Sequence, residues 1–87
     1  MTDFAHVREV ILREITDLFV EEGKPAPKLQ DDDILLESGL DSLGFAVIVT
    51  RLEESLGYDP FTEMDEPVYP QTLAEFVEVY AAHAPTR

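Results

Sequence analysis

The apolar residues of the first quarter of the chain recur at steps of three and four positions. They are Phe4, Val7, Ile11, Ile15 and Leu18. At about 100° per residue these positions form one stripe, which predicts an amphipathic helix from about residue 3 to 22. Thr2 or Asp3 is a suitable N-cap, and Gly23, followed by Pro25 and Pro27, ends the helix.

The next segment, residues 24 to 40, has no sustained hydrophobic period. It contains prolines, the acidic triplet at 31 to 33 and irregularly spaced apolar residues. A connection of this length is uncommon in a small domain unless it is functional. We predict an ordered loop that single apolar side chains pin to the core, with one short turn near Ile34.

The helix predicted from Ser42 to a C-cap at Gly57 has apolar residues on two sides. The side expected to face the core carries Phe45, Ile48, Val49, Leu52 and Leu56. The opposite side carries Leu43, Ala46, Val47 and Thr50, with Glu54 continuing the line. A helix that only contributes to the core does not need a second apolar face, so we expect a docking surface there. The alternative is that a neighbouring helix or the long loop covers this face. The β-branched run also fits a buried strand, but the helical spacing of both sets favours a helix.

Two further helices complete the predicted order. Asp59 and Pro60 are a suitable cap and first-turn residue for a short helix near residues 60 to 65. Thr72 and Glu75 form a capping-box pattern at the start of a helix over about 72 to 83. The sequence therefore predicts an all-α fold of four helices in a single domain, residues 1–87.

The composition is that of one small globular domain. Of the 87 residues, 45% are hydrophobic and 29% are charged. No apolar run reaches the roughly 20 residues that are needed to cross a bilayer. The N-terminus lacks the basic and apolar segments of a secretory signal, so we expect a cytoplasmic protein that does not act at a membrane.

The charge balance is strongly acidic, and the chain contains no cysteine. Nineteen acidic residues against six basic ones give a net charge of −13. This charge repels nucleic acid and favours partners with basic surfaces, although it is also explained by solubility alone. Without cysteine, the polypeptide itself supplies neither disulfides nor thiol chemistry.

Ser42 lies at the predicted start of the second helix. Unpaired backbone amides and the positive end of the helix dipole favour an attached anion there, such as a phosphodiester. Taken alone, a serine at this position is more simply explained by helix capping.

The residues around this serine resemble the attachment motif of phosphopantetheine-dependent acyl and peptidyl carrier proteins. The stretch is Glu37-Ser38-Gly39-Leu40-Asp41-Ser42-Leu43, continuing to Leu52-Glu53-Glu54. The resemblance covers nearly the whole chain, because that family forms a four-helix bundle with a long first loop and a short third helix. It implies a four-helix bundle of the acyl carrier protein type, with the modified serine opening helix two.

The resemblance implies a carrier that is not itself an enzyme. In that family a transferase moves 4′-phosphopantetheine from coenzyme A to the serine hydroxyl, and the thiol of the arm carries acyl or aminoacyl groups as thioesters. The corresponding serine is Ser42, and Asp41 is similar to the acidic residue beside it. The implied partners of a monomeric carrier are the phosphopantetheinyl transferase and the loading and processing enzymes, with basic docking patches. The implied contact residues are Leu43, Ala46, Val47, Thr50, Glu53 and Glu54.

The chain departs from the fatty-acid-synthesis members at two positions. Val47 and Thr50 place apolar or neutral groups where that subgroup often presents acidic or larger side chains. This departure favours a specialised polyketide, aminoacyl or modified-lipid pathway. The lack of flanking linkers leads us to expect a free-standing carrier.

Other chemistries fit the sequence less well. A hydrolase nucleophile elbow needs a different glycine spacing and a preceding strand, and only His6 and His83, expected to be solvated, are available as bases. The acidic triplet at 31 to 33, and the set Asp59, Glu63, Asp65 and Glu66, lack the ligand pattern of a calcium loop. We expect the aromatic residues Tyr58, Phe61, Tyr69 and Tyr80 to be structural rather than a ligand site.

An interaction protein of a different class is the main alternative. An unmodified acidic helical module would bind a basic protein, or mimic nucleic acid, through the same charge and the same exposed face. Such a module does not need Ser42, so covalent modification of that hydroxyl discriminates between the two functions.

Overall fold

The structure, a computed structural model, describes residues 4–63 and 70–83. Its helices are α1 (Phe4–Glu21), α2 (Ser42–Leu56), α3 (Pro60–Glu63) and α4 (Leu73–Ala82), with a 3-10 turn at Leu35–Glu37 in the loop between α1 and α2. These two ranges contain no strand, and one isolated bridge pairs Ile34 with Thr72. The all-α prediction is confirmed. The extension of the third helix to residue 65 falls outside the described residues.

The helix ends follow the predicted capping chemistry. Gly57 closes α2 with a left-handed φ of 86°, a conformation that glycine adopts without steric cost. At the start of α4, Glu75 donates its backbone N–H to Thr72 Oγ1 at 3.2 Å. The Glu75 carboxylate in turn accepts a 2.9 Å bond from the backbone N–H of Gln71, one residue before the cap. The predicted caps Thr2 and Asp3 lie outside the described residues.

One hydrophobic core joins the long helices, and α1 packs against both α2 and α4. The predicted stripe of α1 is buried from Val7 to Leu18, and α2 contributes Ile48 and Leu52, both fully buried. The buried side chains of α4 are Leu73, Phe76, Val77 and Tyr80. Burial of these apolar surfaces is the main stabilising contribution in a cysteine-free chain. No helix in the described ranges is long and apolar enough to cross a bilayer.

The long loop is fixed to the start of α4 by backbone hydrogen bonds. Leu35 N–H donates to the carbonyl oxygen of Gln71 at 2.9 Å, and Leu73 N–H donates to that of Asp33 at 3.1 Å. Asp31 accepts from Ala74 N–H through its carbonyl and pairs with Arg8 of α1 through its carboxylate, at 2.8 Å in each case. The prediction of an ordered loop is therefore confirmed, and its acidic triplet has a structural use.

Candidate functional site

The start of α2 is capped by Asp41 rather than by Ser42. Asp41 has extended backbone angles, and its Oδ1 accepts a 2.7 Å hydrogen bond from the N–H of Gly44. Its carbonyl oxygen accepts the N–H of Phe45 at 2.8 Å, which begins the helical pattern. Helix capping was the simpler explanation for a serine at this position, but the capping side chain is that of Asp41.

Gly44 allows this end of α2 to pack closely, a role that the sequence analysis did not assign. A Cβ atom at this position would lie 3.0 Å from Leu40 Cδ1 and 3.1 Å from Asp41 Oδ1, with Leu18 Cδ2 at 3.5 Å. Leu40 and Leu18 are both buried, so they have little freedom to move away. The absence of a Cβ atom at Gly44 therefore leaves room for Leu40 and for the capping carboxylate of Asp41.

The Ser42 side chain is exposed on the first turn of α2. Among the described residues, none forms a hydrogen bond with its hydroxyl. Within the first turn, the backbone N–H groups of Ser42, Leu43 and Gly44 have no intrahelical acceptor, and the Asp41 side chain takes that of Gly44. The hydroxyl is therefore accessible, next to donors that stabilise a negatively charged substituent.

An apolar groove of about 450 Å³ begins at Ser42 and runs along one flank of α2. We call it the α2 groove. Among the described residues, its lining consists of Leu35, Leu36, Ser42, Phe45, Ala46, Val49, Phe61 and Pro70. Because these residues come from the loop turn, two helices and the segment before α4, the sequence periods did not predict the groove. Its volume falls within the range of small-molecule sites, roughly 300 to 1,000 Å³.

A set of aromatic rings lies beneath the α2 groove. Phe45 and Phe61 line the groove with ring centroids 6.3 Å apart, whereas Phe76 and Tyr80 are fully buried behind them. Phe45 contacts Phe76 at 5.1 Å, and Phe61 contacts Tyr80 edge to face at 5.9 Å. The structural roles predicted for Tyr58 and Tyr80 are confirmed by their burial, while Phe61 also borders the groove. Tyr69 lies outside the described residues.

The Tyr80 hydroxyl is buried without a hydrogen-bond partner among the described residues. Burial, with smaller contributions from the negative charges of Asp59 and Glu53, raises its pKa far above the ordinary value. Tyr58, by contrast, donates its hydroxyl to the Tyr80 carbonyl oxygen at 2.6 Å. The buried phenol of Tyr80 thus remains neutral and contributes an apolar ring to the core.

The predicted second face of α2 is exposed at most, but not all, of its positions. Leu43 retains 74% of its surface exposed, and Ala46 and Thr50 are also exposed. Val47 is half-buried and packs against the core, so the predicted second face is partly covered at this position. Val47 lies one turn before Arg51, whose guanidinium binds Glu21 of α1, and this flank of α2 therefore faces α1.

Acidic side chains continue the exposed face toward the end of α2. Glu53 and Glu54 are both exposed, as predicted for a surface that meets basic partners. The histidines considered as bases, His6 and His83, are exposed as well. Within residues 4–63 and 70–83, no three acidic or histidine side chains are grouped as metal ligands.

Comparison with known protein families identifies the family of the chain. The family model described as the phosphopantetheine attachment site matches residues 13–64, more than half of the chain. The chain belongs to this family. Its members carry 4′-phosphopantetheine covalently, and as carriers they interact with modifying and processing enzymes. No curated protein and no solved structure matched the chain.

The site described above fits the phosphopantetheine group. The matched range contains the whole of α2 and its cap, including the exposed Ser42 hydroxyl. A phosphodiester at that oxygen would lie beside the free N–H groups of the first helical turn. The thiol of the arm supplies the sulfur that a cysteine-free chain lacks.

Proposed function

We propose that this protein is a carrier that holds acyl groups as thioesters on a 4′-phosphopantetheine arm attached to Ser42. The observation that carries the proposal is the position of Ser42, exposed at the capped start of α2 and at the rim of an apolar groove. In this proposal the short α3 is the third member of a four-helix bundle, and the domain spans the whole chain.

Attachment requires Ser42 to act as a nucleophile toward coenzyme A on a transferase. Ser42 Oγ forms a bond to the phosphorus on the pantetheine side of the pyrophosphate, and the bond from that phosphorus to the bridging oxygen breaks. Adenosine 3′,5′-bisphosphate leaves, and the hydroxyl proton passes to a base on the transferase. Asp41 contributes by holding the helix start in place, because its carboxylate is occupied by Gly44 N–H.

An acyl cargo fits the α2 groove better than an aminoacyl cargo. Apart from Ser42 at the rim, every side chain that lines the groove within the described residues is apolar. An ammonium group placed there would lose its hydration without gaining a hydrogen-bond acceptor from a side chain, which is costly. An aliphatic chain gains about 0.8 kcal/mol for each methylene that it buries.

Partner enzymes are proposed to dock on the exposed part of α2 beside the modified serine. Leu43 and Ala46 offer apolar contacts at the mouth of the groove, and Thr50, Glu53 and Glu54 extend the surface along the helix. The net charge of −13 favours partners with basic patches and speeds their encounter. Catalysis then belongs to those partners and not to the monomeric carrier. We propose that the carrier serves a specialised lipid or polyketide pathway, because Thr50 is neutral where fatty-acid-synthesis members often present acidic or larger side chains.

Site mapping tests the proposal. The protein is incubated with a broad-specificity phosphopantetheinyl transferase and coenzyme A that bears a fluorescent group on its thiol. Peptide mapping is expected to find the label on Ser42. Ser38 provides the matched control, because its hydroxyl is four residues away and donates to the Leu35 carbonyl oxygen at 2.6 Å. Label on Ser38, or no label on a folded chain, would contradict the proposal and favour the unmodified acidic module.

A further inference from the structure

The α2 groove has an open mouth and an aromatic floor. At the mouth, Ser42, Ala46 and Leu36 are all exposed. The floor consists of the half-buried rings of Phe45 and Phe61, with Phe76 and Tyr80 fully buried beneath them. An acyl chain that enters from the Ser42 side therefore meets aromatic rings at the bottom of the groove.

The two floor residues differ in how firmly they are held. Phe45 projects from the 15-residue helix α2 and contacts Phe76 of α4 at 5.1 Å. Phe61 belongs to the four-residue α3, where its N–H donates to Asp59 Oδ1 at 2.9 Å. Its ring rests edge to face on Tyr80 at 5.9 Å. Replacing Phe61 by a smaller residue would uncover the Tyr80 ring and deepen the groove without removing a core residue of the long helices.

We infer that Phe61 sets the length of acyl chain that this carrier shelters, with Phe45 forming the rest of the floor. The inference rests on the proposed function and specifies its substrate class as straight, apolar acyl chains up to a limit. Each methylene buried in an apolar site shifts an equilibrium about fourfold. Once the acyl chain reaches the Phe61 ring, further methylenes stay in water and do not stabilise the loaded protein.

The test measures the melting temperature of a series of loaded proteins. The chain is converted with acylated coenzyme A and the transferase into forms that carry butanoyl, hexanoyl, octanoyl, decanoyl or dodecanoyl groups, and mass spectrometry verifies each product. In the wild type, Tm is expected to rise by several degrees for each step and then level off. The chain length at the plateau is the quantity compared between variants.

Phe61 variants move the plateau in opposite directions if the inference is correct. Phe61→Leu and Phe61→Ala are expected to shift it to longer chains, and Phe61→Trp to shorter chains. Phe19→Leu, a change at a buried ring that does not line the groove, controls for a general loss of packing and leaves the plateau unchanged. Phe61→Leu and Phe61→Trp keep a large apolar side chain, so the comparison holds if Phe61→Ala unfolds.

Two results would overturn the inference. A Tm that does not depend on chain length would show that the cargo stays outside the groove, although loading itself succeeded. A plateau that is the same in all Phe61 variants would show that another residue sets the limit. Failure of the wild-type chain to accept any arm is a different outcome, because it contradicts the proposed function as well.

Discussion

Asp41 Oδ1 accepts a 2.7 Å hydrogen bond from the N–H of Gly44, and Ser42 lies between these two residues on the first turn of α2. The capping bond therefore spans the residue that we propose to be modified. Because the cap satisfies a donor that would otherwise be unpaired, it fixes the direction in which the first turn presents its side chains.

Removal of this cap is expected to loosen the start of α2. Asp41→Ala should lower the free energy of unfolding by about 1 kcal/mol, the typical cost of losing a capping side chain. Asp41→Asn keeps an oxygen acceptor and should remain close to the wild type. Thermal unfolding gives the stability, and amide exchange at Gly44 is expected to be faster in Asp41→Ala alone. Equal exchange in both variants would contradict the capping role.

Three neighbouring positions test the assignment of the faces of α2. Ile48→Asp places a charge at a fully buried site and should cost about 4 kcal/mol or more, enough to unfold a marginal domain. Ala46→Asp, on the exposed face, should change stability by less than about 0.5 kcal/mol. Val47→Asp should fall between them, because Val47 is half-buried. Circular dichroism and melting curves measure the stability of all three variants. If Val47→Asp were as stable as Ala46→Asp, the packing of Val47 against the core would be contradicted.

The two buried tyrosines are expected to respond oppositely to loss of their hydroxyls. Tyr80→Phe removes a buried donor that has no partner among the described residues, and should raise stability by about 1 kcal/mol. Tyr58→Phe removes the 2.6 Å bond to the Tyr80 carbonyl oxygen and should lower it by about 1 kcal/mol. For a chain of this size, each change corresponds to roughly 4 to 8 °C in Tm. Destabilisation by Tyr80→Phe would indicate that the hydroxyl has a partner.

The ion pair between α1 and α2 predicts a dependence of stability on pH. Arg51 binds Glu21 with N to O distances of 2.7 and 2.9 Å, and these hydrogen bonds lower the pKa of the Glu21 carboxyl below its ordinary value of 4.5. The stabilisation is therefore present above pH 4.5 and is lost as the pH falls through the lowered pKa. The Glu21 side chain is exposed and the Arg51 side chain is partly exposed, so we expect a small effect that salt reduces.

Glu21→Gln measures this contribution. The variant should melt slightly below the wild type at pH 7, and the difference should shrink as the pH falls below 4.5. Glu22→Gln is the matched control, since the Glu22 carboxylate makes a longer contact, 3.6 Å to Lys24 next to the helix end. A difference for Glu21→Gln that persists unchanged at low pH would show that charge is not its cause.

The helices could be predicted from the sequence because their signals are local. The stripe of α1, the Gly57 cap of α2 and the Thr72 cap of α4 each depend on residues within a few positions of one another. The turn predicted near Ile34 is found at Leu35–Glu37 for the same reason. The family could be predicted for the same reason, because the motif around Ser42 is contiguous in the sequence.

The features that the sequence did not reveal depend on contacts between distant segments. Leu35, Phe61 and Pro70 meet α2 only after the loop has folded onto α4, so no periodic pattern marks the groove. The sequence places Val47 on the predicted second face of α2. Its partial burial depends on the position of α1, which the sequence pattern does not reveal.

Ser42 is proposed to accept a phosphopantetheine arm, and intact-protein mass spectrometry measures the mass of that modification. The wild-type chain and Ser42→Ala are incubated in parallel with coenzyme A and a broad-specificity phosphopantetheinyl transferase, beside a known carrier as a positive control. We expect the wild type to gain the mass of one phosphopantetheine group and Ser42→Ala to gain none. Equal gain in both proteins, or no gain in a folded wild-type chain while the control is modified, would contradict the proposal.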